Sequence, residues 1–117
     1  MSIFSESVQD TADLEKLHQR SFEKNKGVVL FKHSTRCIIS KTVLRNLSAE
    51  WEVDEQNLPI YYLDLLSYRA VSNQVAADYG VEHQSPQIIV IKDGVAIYAE
   101  SHHSISWDKI KELMEHA

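Results

Sequence analysis

Three short apolar runs set the architecture of this chain. They are Val28-Val29-Leu30-Phe31-Lys32, Ile60-Tyr61-Tyr62-Leu63-Asp64-Leu65 and Gln87-Ile88-Ile89-Val90-Ile91-Lys92. The first is continuous rather than alternating and rich in β-branched and aromatic residues. That pattern fits a central strand covered on both faces. The second is likewise too apolar to have a solvated face. After the third, Asp93-Gly94 is a strong two-residue hairpin signal, and Val95-Ala96-Ile97-Tyr98-Ala99 reads as the returning strand.

Helical patterns separate these runs. Asp10 or Thr11 caps a first helix, with Asp13 in its first turn, Leu14, Leu17 and Phe22 as its apolar stripe, and an end near Asn25, before Gly27. A second runs from Cys37 to about Trp51, with Ser40, Val43, Leu44, Leu47 and Trp51 on one side and its start set by Ser34 or Thr35. A third begins at Ser67 or Tyr68, carries Val71, Val75, Ala76 and Tyr79, and stops at Gly80. In the last, Ser106 is the cap, Ile105 and Ile110 form a hydrophobic staple, and Trp107, Leu113 and Met114 face the core. Ser2-Ile3-Phe4 is a further short edge strand. Strands separated by helices imply parallel neighbours, and the hairpin adds an antiparallel one. The expected fold class is α/β: one domain over residues 1–117, with a mixed sheet of four to five strands and helices on both faces.

In such a sheet, ligands collect at the carboxyl ends of the strands. The chain's single cysteine, Cys37, follows the first apolar run there, at the start of a helix. Free N–H groups and the helix dipole at that position stabilise an anion, so they favour thiolate over thiol, and Arg36 adds positive charge. A small buried apolar cysteine is the competing reading. Ser40 lies three residues on, within reach to donate a hydrogen bond to the thiolate, although lining the first helical turn would place it there in any case. Ser85-Pro86 opens a central strand, where proline removes a ladder donor. A cis bond that presents backbone to a substrate would explain it, and a trans proline ending the loop is the alternative. Asp64, at a strand end, is either a proton acceptor or a cap. His33, His102 and His103 lack the paired Cys/His spacings of a zinc site, so no metal is expected.

One cysteine cannot form an internal disulfide, which points to a reducing compartment, the cytoplasm by default. The N-terminal stretch lacks the basic and apolar regions of a signal peptide, and no apolar run is long enough for a membrane span. With 12 basic and 17 acidic side chains the formal charge is −5, which argues against general nucleic-acid binding. Lys32, Arg36 and Lys41 are the candidates for a local basic patch around the cysteine.

The element order, the Cys37-x-x-Ser40 turn and the proline before the hairpin together resemble the thioredoxin fold. Lys32-His33-Ser34-Thr35-Arg36-Cys37-Ile38-Ile39-Ser40 is similar to the turn signature of the YtxJ-type monothiol bacilliredoxins, Lys-His-Ser-Thr-x-Cys-Pro-Ile-Ser. His83-Gln84-Ser85-Pro86-Gln87 is similar to that family's His-x-Ser-Pro-Gln segment. The likeness extends from about residue 10 to residue 115. One position departs: Ile38 stands where the family has proline, which leaves an extra N–H at the helix start.

The resemblance implies a bacterial redox role, in a stress-response setting, removing bacillithiol or a similar low-molecular-weight thiol from protein mixed disulfides. Cys37 would be the nucleophile, Thr35 and Arg36 would flank its attack path, and Ser85 and Pro86 would bind the incoming disulfide through backbone. The partners would be S-thiolated client proteins and the small thiol as co-substrate, with no resident cofactor. The sequence does not fix an oligomeric state. Two other readings carry distinct expectations. One is a monothiol glutaredoxin-like iron–sulfur carrier that shares a cluster between two chains. The other is a stress or adaptor module that binds partners without turnover.

Overall fold

A computed structural model describes residues 6–23, 27–34, 36–50, 59–102, 105, 108–110 and 112. In chain order the elements are β1 (Glu6–Ser7), α1 (Thr11–Arg20), β2 (Val28–His33), α2 (Ile38–Glu50), β3 (Ile60–Asp64), α3 (Arg69–Tyr79), β4 (Gln87–Lys92) and β5 (Val95–Ser101). The strands form one five-stranded sheet in the order β1-β3-β2-β4-β5. The expected edge strand at Ser2–Phe4 lies outside the described residues, as do Trp51, Ser106, Trp107, Leu113 and Met114. The edge beside β3 is taken by Glu6–Ser7.

The sheet divides two apolar layers. Val29, Phe31, Ile60, Ile88 and Val90 pack with Val43 and Leu47 of α2 and with Ile110. On the opposite face Val28, Leu30, Leu63, Ile89 and Ile91 pack with Leu14 and Leu17 of α1 and Val71 and Val75 of α3. Alternate residues of β2 therefore serve opposite layers, as strand geometry requires. Every residue of β2 is buried, which is why its sequence shows no polar face. Among the described residues no helix is long and apolar enough to cross a membrane.

Local signals built the elements largely as expected. Asp10 caps α1, its carboxylate accepting the Asp13 N–H at 2.8 Å. Gly80 closes α3 in the left-handed conformation. Asp93 and Gly94 both have positive φ, 52° and 77°, the pairing that suits a two-residue hairpin to the strand twist.

Three expectations are corrected. First, β4 is antiparallel to β2, although a helix separates it from β3, which is parallel to β2. Residues 81–86 carry the chain back to the Cys37 end of the sheet, so Gln87 enters opposite Lys32 near the carboxyl end of β2. Second, α1 stops at Arg20 and not near Asn25. Buried Ser21 turns away to dock the hairpin: its hydroxyl donates to the His18 carbonyl (2.6 Å) and accepts the Gly94 N–H (2.9 Å), while its carbonyl accepts the Asp93 N–H (2.9 Å). Phe22 follows outside the helix and is exposed. Third, the ladder of α2 opens at Cys37 and not at Ser34, while Thr35, the alternative start, lies outside the described residues. The first carbonyl of its ladder is that of Cys37, which accepts the Lys41 N–H at 3.0 Å.

Candidate active site

Antiparallel pairing of β2 and β4 makes the site possible. The carboxyl end of β2 and the amino end of β4 fall at the same end of the sheet. Lys32 pairs with Gln87, and the same register continued by one residue sets Pro86 beside His33. The Ser85–Pro86 peptide is cis. Pro86 is buried, and its carbonyl accepts the His102 N–H at 3.0 Å. No hydrogen bond to the Ser85 backbone occurs among the described residues. Among those residues the Ser85 peptide is an open edge at the mouth of the sheet.

Cys37 is a free, half-buried thiol at the N-cap of α2. A side chain at this position meets the N–H groups that open a helix, which have no partner within it. Its own N–H donates to the Ser34 carbonyl at 3.2 Å. Arg36 and Lys41 flank it and are exposed. Thr35 lies outside the described residues. Ile38, at the family's proline position, is 80% exposed, and Ile39 is also exposed.

Ser40 is fully buried. Its hydroxyl is directed at His33 and Ser34, and among the described residues it makes no hydrogen bond to the thiol. Oγ accepts the Ser34 N–H at 3.1 Å and lies 2.7 Å from His33 Nδ1. His33 is buried, stacked on Phe31 and tilted against Tyr62. Burial lowers its pKa from 6.5; Asp64 opposes that shift and Lys41 adds to it. A neutral imidazole is thus favoured at the hydroxyl. The Ser34 carbonyl, the Ser34 N–H, the Ser40 hydroxyl and His33 make a chain of bonds that fixes the turn from within. Asp64 caps its own turn, accepting the Leu66 N–H at 3.2 Å and the Ser67 hydroxyl at 3.1 Å.

Lys32 does not belong to a basic surface patch, contrary to the sequence expectation. It is wholly buried, and its ammonium donates to the Ser72 carbonyl at 3.1 Å. Burial pushes its pKa down from 10.5 to about 8. His83, the first residue of the His83-to-Gln87 segment, also reaches this ammonium, its Nδ1 lying 3.4 Å from Lys32 Nζ. A usable signal existed: Val28, Leu30 and Lys32 share one face of a strand with no polar side.

Comparison with solved structures finds the same fold repeatedly. A candidate oxidoreductase with a thioredoxin fold superposes with a TM-score of 0.75 at 25% identity, over 93% of this chain and 91% of that one. A thioredoxin from Malassezia sympodialis gives 0.70 at 12% identity, over 95% of this chain and 88% of that one. One from Fasciola hepatica gives 0.68 at 20%, over 95% and 97%. The fold is therefore thioredoxin-like. At the family level, residues 6–110 match the monothiol bacilliredoxin BrxC family, and the chain belongs to it.

Proposed function

We propose that this protein is a monothiol thiol–disulfide oxidoreductase that removes bacillithiol, or a closely similar small thiol, from protein mixed disulfides. The observation that carries the reading is Cys37, the chain's only cysteine, held at the N-cap of α2 beyond the carboxyl end of β2, the end of the sheet at which β4 enters. Membership of the monothiol bacilliredoxin family supports a thiol-based redox role. A thiolate at this position attacks the sulfur of the small thiol in the mixed disulfide. The client–thiol S–S bond breaks, the client sulfur leaves as thiolate and takes a proton, and a new S–S bond joins Cys37 to the small thiol. No second cysteine in the chain can resolve that bond. A free small thiol must attack it, giving the oxidised small-thiol disulfide and restoring Cys37.

Each neighbour has a part in this reading. The Ser85 peptide edge pairs with the extended backbone around the client's disulfide, in the manner of an added strand. Arg36 borders the approach to the thiol. Ser40 serves the nucleophile indirectly, by fixing the turn that carries it. The test is release of client thiol from a bacillithiol-modified client protein, followed by thiol titration. Wild type releases it, and Cys37→Ser does not. Equal release by both proteins would refute the assignment.

A further inference from the structure

Lys32 belongs to the same motif as Cys37, yet its side chain lies on the face of the sheet opposite α2. Phe31 packs towards α2, and Lys32 points to the layer of α1 and α3. There its ammonium donates to the Ser72 carbonyl of α3 and faces His83 Nδ1 at 3.4 Å. The Ser72 hydroxyl lies 3.4 Å from the same ring nitrogen. His83 is itself exposed and precedes Ser85 by two residues. Gln87, paired with Lys32 in register, donates from Nε2 to the Glu82 carbonyl at 2.9 Å. Its Oε1 is buried without a partner among the described residues. The segment that carries Ser85 and Pro86 is thus tied down by Lys32 through His83 and by Gln87 through Glu82.

An ammonium has no lone pair. His83 Nδ1 can meet Lys32 only as an acceptor, which requires the neutral ring. The groups facing His83 are Lys32 of β2 and Ser72 and Arg69 of α3, with Glu82 adjacent on its own segment. Desolvation and the two cations lower its pKa from 6.5. We propose that Lys32 and His83 form a proton-sensitive latch: the neutral imidazole accepts from the buried ammonium and holds the Ser85–Pro86 segment in place, and protonation of His83 releases it. Lys32 and His83 are then positioning residues for client docking. The docking half rests on the thiol-exchange reading above; the latch itself does not.

The test is amide hydrogen exchange over residues 82–88, expressed as protection relative to intrinsic rates, on the full chain as wild type, His83→Asn and Lys32→Met. Wild-type protection should fall about threefold or more between about pH 7 and about pH 5. In His83→Asn, Oδ1 accepts from the lysine and takes up no proton, so protection stays level. Lys32→Met should show low protection at both values; if that variant does not fold, His83→Asn carries the comparison. Equal wild-type protection at the two pH values, or a parallel fall in His83→Asn, overturns the latch. A second readout divides the rate of exchange with a peptide mixed disulfide by the rate of Cys37 alkylation with iodoacetamide, which cancels the ionisation of the thiol. That ratio should follow the protection. Protection that follows His83 with no peptide exchange at any pH would leave the latch standing and remove the thiol-exchange reading.

Discussion

Ser40→Ala separates two roles for the hydroxyl three residues after the cysteine. The side chain is wholly buried and serves the Ser34 N–H at 3.1 Å and His33 Nδ1 at 2.7 Å. Removing Oγ loses both bonds and leaves a buried ring nitrogen and a half-buried N–H without partners. Each such orphan costs about 1–3 kcal/mol, so the substitution should cost about 2–4 kcal/mol, with Ser34 at the low end because it is half-buried. Against a typical domain stability of about 5–15 kcal/mol this is a large fraction. In urea titration followed by far-UV circular dichroism, a loss near 3 kcal/mol and an m-value near 2 kcal/mol/M shift the midpoint down by about 1.5 M. If Ser40 instead acted on the thiol, stability would hold and Cys37 alkylation would change. A midpoint shift below about 0.3 M would refute the account of Ser40 as the internal brace of the turn.

Gly27 has φ +78°, and a Cβ there would lie 2.7 Å from the Ile91 carbonyl oxygen, a backbone atom. Gly27→Ala should cost about 2 kcal/mol or more, read as a lowered urea midpoint. Lys32 gives up its proton near pH 8 in the folded chain but near 10.5 when unfolded. Between those values the unfolded chain binds more protons, so stability rises with pH, by about 2 kcal/mol from pH 8 to pH 10. The urea midpoint of wild type relative to that of Lys32→Met should show that rise; Tyr79 and Tyr98, pushed up to about 12 by burial, oppose it in both proteins alike. Ile38→Pro restores the family residue at the first position of α2, where proline is tolerated and Ile38 buries little. Stability should increase by about 0.4–1 kcal/mol, measured as a higher Tm.

The strands were legible because their burial is written locally. A run such as Val28 to Phe31 has no solvated side in any register, and Asp10, Gly80 and Asp93-Gly94 mark boundaries by backbone chemistry that needs no distant partner. The cysteine was placed for the same reason, by a strand ending just before a helix start. What escaped depends on long-range contacts. Ser21 ends α1 because the hairpin more than seventy residues later needs its hydroxyl. The direction of β4 is decided by where residues 81–86 lead, which helix and strand periods do not encode. Lys32 reads as a surface cation from its charge alone, and only the fold reveals Ser72 and His83 around its ammonium. Ser40 illustrates the middle case: its spacing from Cys37 was plain, but its true hydrogen-bond partner, His33, precedes it by seven residues.

The most direct test of the central claim is intact-mass and peptide mass spectrometry of the reduced protein mixed with a bacillithiol-modified client. The account predicts a bacillithiol adduct on Cys37 that appears as client thiol is released and disappears when free bacillithiol is added. A covalent Cys37–client disulfide with no adduct, or client thiol released while Cys37 stays unmodified, would contradict it.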